Sequence, residues 1–290
     1  MNVAELLGLP RLDHDLREAE AAIRRSTAAA DPFLTQVAGH LVDAGGKRLR
    51  PALTITAALA GGATVTDEVV MGGVSVELVH LGSLYHDDVM DEADVRRNVE
   101  SVNRRWGNLV AILAGDFLLA RASEIAASLG NEVAGLLANT IGRLCEGQVG
   151  ELQTAFDVGR SETAYLASIE GKTASLMASA CRIGGIVAGL PRTWTDALTS
   201  FGRAFGMAFQ IRDDVLDVVG TEEGLGKPAG QDLVEGTYTL PVIRALARPA
   251  VEAELAPLLG RPLGAPERDK ARAIVRDSGG VESALAEARA

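Results

Sequence analysis

Apolar residues recur along almost the whole chain at the i, i+3, i+4 spacing of a helix, and no stretch keeps up the strict alternation of a half-buried strand. The pattern breaks at Gly45-Gly46, Gly61-Gly62, Trp106-Gly107, Gly130-Asn131, Gly159-Arg160, Gly189-Leu190-Pro191, Gly220 to Gly230 and Gly260 to Pro266. Between the breaks lie segments of roughly 15 to 30 residues, the length of substantial helices. There is no internal repeat of about 20 to 50 residues. No Ser/Pro/Gly linker separates two regimes of composition, so the pattern predicts one large helical domain over residues 1–290. The longest Gly-rich stretch, TEEGLGKPAGQDLVEG after Gly220, is predicted to be a functional or disordered loop. The end of the chain, GGVESALAEARA, reads as a helix that stops abruptly, and the natural chain is expected to extend further.

Composition strengthens the helical reading. Hydrophobic residues make up 47% and aromatics only 4%, with Ala and Leu dominating. These two favour helices, whereas β-branched and aromatic residues favour strands. The net charge of -11 argues against nucleic-acid binding, which needs a basic surface. It leaves phosphate ligands open wherever cations cluster or carboxylates hold a metal. The two cysteines, Cys145 and Cys181, lack CxxC spacing, which excludes a disulfide framework and a zinc site and fits a reducing cytosol. The N-terminus has no signal-peptide pattern, and no window reaches about 18 uninterrupted apolar residues. A cytoplasmic protein without a membrane span is expected.

The most informative feature is a pair of matching acidic clusters. Asp87-Asp88-Val89-Met90-Asp91 and Asp213-Asp214-Val215-Leu216-Asp217 each read DDxxD. On a helix, i and i+4 share a face, so Asp87 pairs with Asp91 and Asp213 with Asp217. Like charges at that spacing weaken a bare helix, and Asp is a poor helix former. Both segments are otherwise apolar, which predicts that the carboxylates line an interior cleft. Such a cluster needs compensation, and magnesium, which takes a few carboxylates plus water and substrate phosphates, supplies it. A single DDxxD could equally be a solvated acidic face. Two copies, each after an apolar run and each followed by cations or a Gly-rich loop, speak against that.

The cations complete the picture. Gly45-Gly46-Lys47-Arg48-Leu49-Arg50-Pro51 places cations directly before a predicted helix that Pro51 can start, and helix N-termini favour anions. Lys47 and Arg50 can add charge-assisted hydrogen bonds to a diphosphate. Arg96 and Arg97 follow the first cluster. His80 lies two turns before Asp87 on the same face, where a satisfied core histidine is the plainer reading. Lys172-Thr173 falls within a helical pattern, and Lys227 within the Gly-rich loop.

At this point the sequence resembles the trans-isoprenyl (polyprenyl) diphosphate synthases, most of all the longer-chain bacterial branch that makes quinone side chains. The resemblance rests on GGKRLRP (Gly45 to Pro51), HDDVMDEADVRR (His86 to Arg97), GDFLLA (Gly115 to Ala120), GQVGEL ending at Leu152, EGKTASL (from Glu170), FQIRDDVLD (Phe209 to Asp217) and GKPAGQDLVEGTYTLP (Gly226 to Pro241). They stand in family order and cover about residues 40 to 243. Two positions depart from the family pattern: Asn98, where Gly is common after the Arg pair, and Thr237, where Lys is common. Family members also usually extend further at the C-terminus.

The resemblance implies an isoprenoid synthase fold, a bundle of about ten or more mostly antiparallel helices around a central catalytic cavity. It implies a magnesium-dependent transferase that condenses isopentenyl diphosphate head-to-tail with an allylic diphosphate. Asp87, Asp91 and Asp213 would hold about three magnesium ions, supported by Asp88 and Asp217, and Asp214 completes the second cluster. Arg96, Lys172, Thr173, Gln210 and Lys227 would bind the allylic diphosphate. Lys47, Arg50, His80 and Arg97 would bind isopentenyl diphosphate. Residues Gly82, Ser83 and Val79, on the helix upstream of Asp87, would set product length. Gly82 and Ser83 lie roughly 6 Å below Asp87 and are small where early-stopping members carry aromatics, so a product of about six to ten isoprene units is expected. Shorter-chain geranylgeranyl or farnesyl diphosphate synthases, a terpene cyclase and a subunit of a heteromeric synthase are the alternatives. The cyclase lacks support because the second cluster is a full DDxxD, and a non-catalytic subunit would be expected to lose the aspartates. A homodimer is the family expectation, with transient membrane contact for release of an apolar product.

Overall fold

The structure, a computed structural model, describes residues 9, 11–221 and 228–289. Its helices are α1 (Leu12–Ser26), α2 (Pro32–Asp43), α3 (Leu49–Ala60), α4 (Asp67–Met90), α5 (Val102–Trp106), α6 (Asn108–Ser128), α7 (Asn131–Gln153), α8 (Glu162–Ile169), α9 (Ser175–Val187), α10 (Arg192–Val219), α11 (Gln231–Glu235), α12 (Leu240–Leu246), α13 (Pro249–Leu255), α14 (Ala265–Asp277) and α15 (Gly280–Glu287). The all-α class predicted from the pattern holds. Several helices end at the glycine breaks, as α3 does before Gly61 and α10 before Gly220. The break near Gly159 comes earlier, because α7 stops at Gln153 and Phe156 takes a left-handed φ of 60°.

One short hairpin interrupts the helices. Strands β1 (Val95–Arg96) and β2 (Val99–Glu100) pair antiparallel, with Val95 opposite Glu100. Arg97 and Asn98 fill the turn with φ of 53° and 62°. Positive φ at both central residues is the requirement of a type I′ turn, where Asn substitutes for Gly at little cost. This is why Asn98 can stand where glycine is common. It also means that Arg96 and Arg97 leave on a turn instead of continuing the helix that carries Asp87.

Two compact units divide the chain: residues 1–141 with 176–202, and residues 142–175 with 203–290. In the first unit, α4 is buried on nearly every side, from Val69 through Gly72 to Val79 and on to Leu81, Gly82, Tyr85 and Asp88. A helix enclosed in this way shows no amphipathic stripe. It lies closely along α6: a Cβ on Gly82 would stand 3.0 Å from the carbonyl oxygen of Gly115. Tyr85, fully buried, donates its hydroxyl to the carbonyl of Val37 at 2.8 Å and so ties α4 to α2.

In the second unit, a core of Tyr165, Ile169, Ile211, Val215, Leu233, Tyr238 and Leu240 joins α8, α10, α11 and α12. Between α8 and α9 the chain widens into a π-helical turn over Glu170–Ala174. Gly147 and Gly171 let this turn approach α7, since a Cβ on Gly147 would lie 2.6 Å from the Lys172 nitrogen.

Candidate active site

The first unit gathers positive charge around one face of α4. Arg48 precedes α3 in a left-handed conformation, φ 47°. Its guanidinium is sealed inside: it donates to Glu77 at 3.2 Å, to the Val42 carbonyl at 3.1 Å and to both oxygens of Glu20. Glu77 is itself only 2% exposed. Arg48 is thus a structural ion pair at the base of the cluster. Arg50 is different. Its Nε is buried without a hydrogen-bond partner among the described residues. Burial pulls its pKa down to about 10, with Arg97 adding to the effect and Glu77 opposing it, so it stays a cation at neutral pH.

Arg97 donates to the Leu41 carbonyl at 3.0 Å and to that of Gly45, which fastens the hairpin turn over the Gly45-Gly46 corner. His80 faces the same charges. Burial lowers its pKa well below 6.5, and the fields of Arg50, Arg97, Arg96 and Arg48 push the same way, so its imidazole is neutral at pH 7. Lys47 is exposed.

The first aspartate motif is split by burial. Asp88 is 0% exposed, and Oδ1 takes both Nε (2.7 Å) and Nη2 (2.6 Å) of Arg96. Its other oxygen is buried without a partner among the described residues. Burial raises its pKa, against the pull of Arg96. Asn103 donates to the backbone carbonyls of Asp88 (2.9 Å) and Ala93 (3.1 Å) and so fixes the exit from α4. Asp87 is half-buried, and Asp91, the residue that caps α4, is exposed. His86 reaches the Ile112 carbonyl at 3.2 Å and the Asp116 carboxylate at 3.4 Å, which joins the HDDVMD and GDFLLA motifs in space.

The second motif, on α10, is split in the same way. Asp213 is exposed, while Asp214 and Asp217 are buried. Asp214 accepts from the Tyr165 hydroxyl at 2.6 Å and from Gln210 Nε2 at 2.8 Å. Burial pushes its pKa up to about 7, against those two hydrogen bonds, and Asp213 and Glu151 add to the rise. Asp217 accepts the backbone N–H groups of Gln231 (3.3 Å) and Asp232 (3.2 Å), a carboxylate cap on α11. On the π turn, Lys172 donates to Glu151 at 2.8 Å and Thr173 to Gln210 Oε1 at 2.8 Å.

The first unit therefore assembles Arg50, His80 and Arg97, with Arg96 on Asp88. The second links Thr173 through Gln210 to Asp214, with Lys172 of the same π turn held on Glu151. Lys227 lies outside the described residues. Sequence reasoning missed Tyr165, Glu151, Glu77 and Asn103. Glu77 left a signal as a charge in the otherwise apolar run of α4, and Glu151 stood unassigned inside the GQVGEL motif.

Of the residues expected to set product length, Val79 is fully buried and Gly82 backs onto α6, with Leu119 Cγ 3.2 Å from where its Cβ would be. Ser83 is half-buried, and its hydroxyl donates to the His80 carbonyl at 2.9 Å.

No group of three or more His, Cys, Asp or Glu side chains forms a ready metal cage among the described residues. Magnesium does not need one, because it is commonly held by one or two carboxylates together with water and substrate phosphates. Within the first unit, Asp87 and Asp91 at the end of α4 offer carboxylates of that kind, and within the second the exposed Asp213 offers another.

A family model of the polyprenyl synthetases matches residues 31–276. The chain belongs to the polyprenyl synthetase family and is a prenyltransferase of isoprenoid biosynthesis. It is 40% identical to a heptaprenyl diphosphate synthase component 2 from Geobacillus stearothermophilus, over 84% of this chain and 77% of the relative. It is 43% identical to a geranylgeranyl diphosphate synthase from Methanosarcina mazei, over 74% of this chain and 68% of the relative. Its fold matches the crystal structure of a polyprenyl synthase from Caulobacter crescentus, complexed with calcium and isoprenyl diphosphate, with a TM-score of 0.90 and 35% identity over 97% of this chain and 88% of that one. The isoprenoid synthase fold expected from the motifs is thereby established. No described helix is long and apolar enough to cross a membrane.

Proposed function

We propose that this chain is a magnesium-dependent polyprenyl diphosphate synthase that joins isopentenyl diphosphate to an allylic diphosphate, head to tail, in a single domain. The observation that carries this reading is the cluster of Arg50, His80 and Arg97 in a protein of net charge -11, with Arg50 Nε buried and without a hydrogen-bond partner among the described residues. An arginine left short of acceptors in such a place suits a diphosphate.

In this reading, Arg50, Arg97, His80 and Lys47 hold isopentenyl diphosphate. His80, neutral, donates a single N–H. Lys172, Thr173, Gln210 and Arg96, together with Lys227, hold the allylic diphosphate. Magnesium at Asp87, Asp91 and Asp213, about three ions in all, would offset the charge of the departing diphosphate. The allylic carbon–oxygen bond breaks, the double bond of isopentenyl diphosphate attacks the resulting cation, and the proton lost goes to the released diphosphate. Apolar walls keep water from quenching the cation.

The product is proposed to be all-trans, about six to ten units long, and destined for a quinone side chain, with Ser83 leaving room below Asp87. A homodimer is proposed on the family resemblance. Exposed Leu109 and Leu113 on α6 form an apolar face that pairing would cover. Release of an apolar product implies transient membrane contact, and two cysteines without disulfide or zinc spacing support a reducing, cytoplasmic setting.

The test is to incubate the purified chain with magnesium, farnesyl diphosphate and labelled isopentenyl diphosphate, and to size the dephosphorylated products. A ladder ending at about six to ten units is expected. Products ending at four units would keep the reaction and replace the length assignment by a geranylgeranyl one. The Geobacillus relative, named as one component of a synthase, supports a second reading. Incorporation that appears only when a partner subunit is added would favour it.

A further inference from the structure

Tyr165 lies on α8, away from every motif picked out in the sequence. It is 1% exposed and belongs to the same buried core as Ile211, Val215 and Leu233. Its hydroxyl nevertheless has a polar partner, the Asp214 carboxylate at 2.6 Å. The other oxygen of that carboxylate takes the Gln210 amide at 2.8 Å, and the Gln210 carbonyl takes the Thr173 hydroxyl at 2.8 Å. Four side chains on three elements thus form one chain of hydrogen bonds: Tyr165, Asp214, Gln210 and Thr173. It begins in the apolar core and ends on the π turn.

The order of donors fixes the orientation of each member. When Asp214 is ionised, the phenol can only donate to it. With both Asp214 oxygens occupied, the Gln210 amide must point its nitrogen at Asp214 and its oxygen at Thr173. Asp214 is also buried while its neighbour Asp213 is exposed. Removing the phenol would leave an Asp214 oxygen buried and unpartnered, and the carboxylate and the amide beyond it would be free to turn.

We infer that Tyr165 is a positioning residue for the allylic-diphosphate half of the site, acting through Asp214 and Gln210 to set Thr173. This inference rests on the proposed reading of Thr173 and Gln210 as allylic-diphosphate contacts. A buried tyrosine that merely filled the core would not need the chain to continue to the π turn.

The test compares Tyr165→Phe with Tyr238→Phe. Tyr238 is a second fully buried tyrosine of the same unit, and its hydroxyl takes the Gly260 N–H at 2.6 Å. Each variant loses one buried hydrogen bond, so each is expected to unfold at a lower temperature. Only Tyr165→Phe is expected to raise the KM for the allylic diphosphate, by about tenfold, with the KM for isopentenyl diphosphate unchanged. Wild type is assayed alongside. No incorporation by wild type would overturn the functional reading itself. An active wild type, with Tyr165→Phe showing the same kinetics as Tyr238→Phe, would overturn the inference alone. An equal rise in both KM values would also overturn it, because that is the mark of general loosening. Should Tyr165→Phe not fold, 3-fluorotyrosine at position 165 keeps the ring and changes only the strength of the bond to Asp214. An allylic KM equal to wild type in that protein would then overturn the inference.

Discussion

Between Lys47 and Pro51, three cations come to different ends. Arg48 is consumed by Glu20 and Glu77, Lys47 stays exposed, and Arg50 is half-buried with an Nε that has no partner among the described residues. The sequence offered Lys47 and Arg50 as diphosphate ligands and left Arg48 between them without a role, and burial shows why: Arg48 is spent on a structural ion pair. His80 is the residue whose charge state the surroundings decide. Its pKa lies well below 6.5 in the folded chain, so the unfolded chain binds the extra proton first as pH falls. Stability from this residue is complete above about pH 6.5 and is lost on acidification towards the folded value, at up to about 1.4 kcal/mol per pH unit. His80→Gln should therefore flatten the fall in unfolding temperature between about pH 6.5 and pH 5, measured by circular dichroism. A curve parallel to wild type would mean that His80 is solvated. Tyr165 was invisible at this scale, because one tyrosine among apolar residues reads as core until its hydroxyl partner is located.

At the scale of elements, the 3.6-residue period showed where α4 and α10 run, and the aspartate spacing placed both motifs on helices. It could not show where those helices stop. Asp91 caps α4 instead of continuing it, and the arginines beyond ride on a hairpin whose turn depends on Asn98. Nor could it show the π turn at Glu170–Ala174, where Lys172 and Thr173 sit in a widened helix, a feature frequent at functional sites. Gly82 and Ser83 look alike in the sequence, as two small residues below Asp87, yet they face different surroundings. Gly82→Phe should force α4 from α6 and destabilise the protein by about 1–3 kcal/mol or more, read as a lower midpoint in urea. Ser83→Phe should leave the midpoint near that of wild type and shorten the product by at least one isoprene unit. Unchanged product length in Ser83→Phe would remove Ser83 from the ruler.

At the scale of the molecule, the exposed apolar face of α6 bears on assembly. Leu109 is 78% and Leu113 64% exposed. A particle of twice the 30.3 kDa chain mass is expected in light scattering, and Leu109→Glu with Leu113→Glu should halve it. A pair that survives both substitutions would place the contact elsewhere. What the sequence determined by itself was the helical class, the two aspartate motifs and the family, because these depend on periodicity and on residue type at short spacing. The tertiary structure alone decided which carboxylate of each motif is buried. It put Asp88 on Arg96 and Asp214 between Tyr165 and Gln210, and it turned Asp217 to the N-terminus of α11. The physical reason is that burial and hydrogen-bond partners come from residues far apart in the chain, and no local pattern encodes which of two adjacent aspartates will meet them.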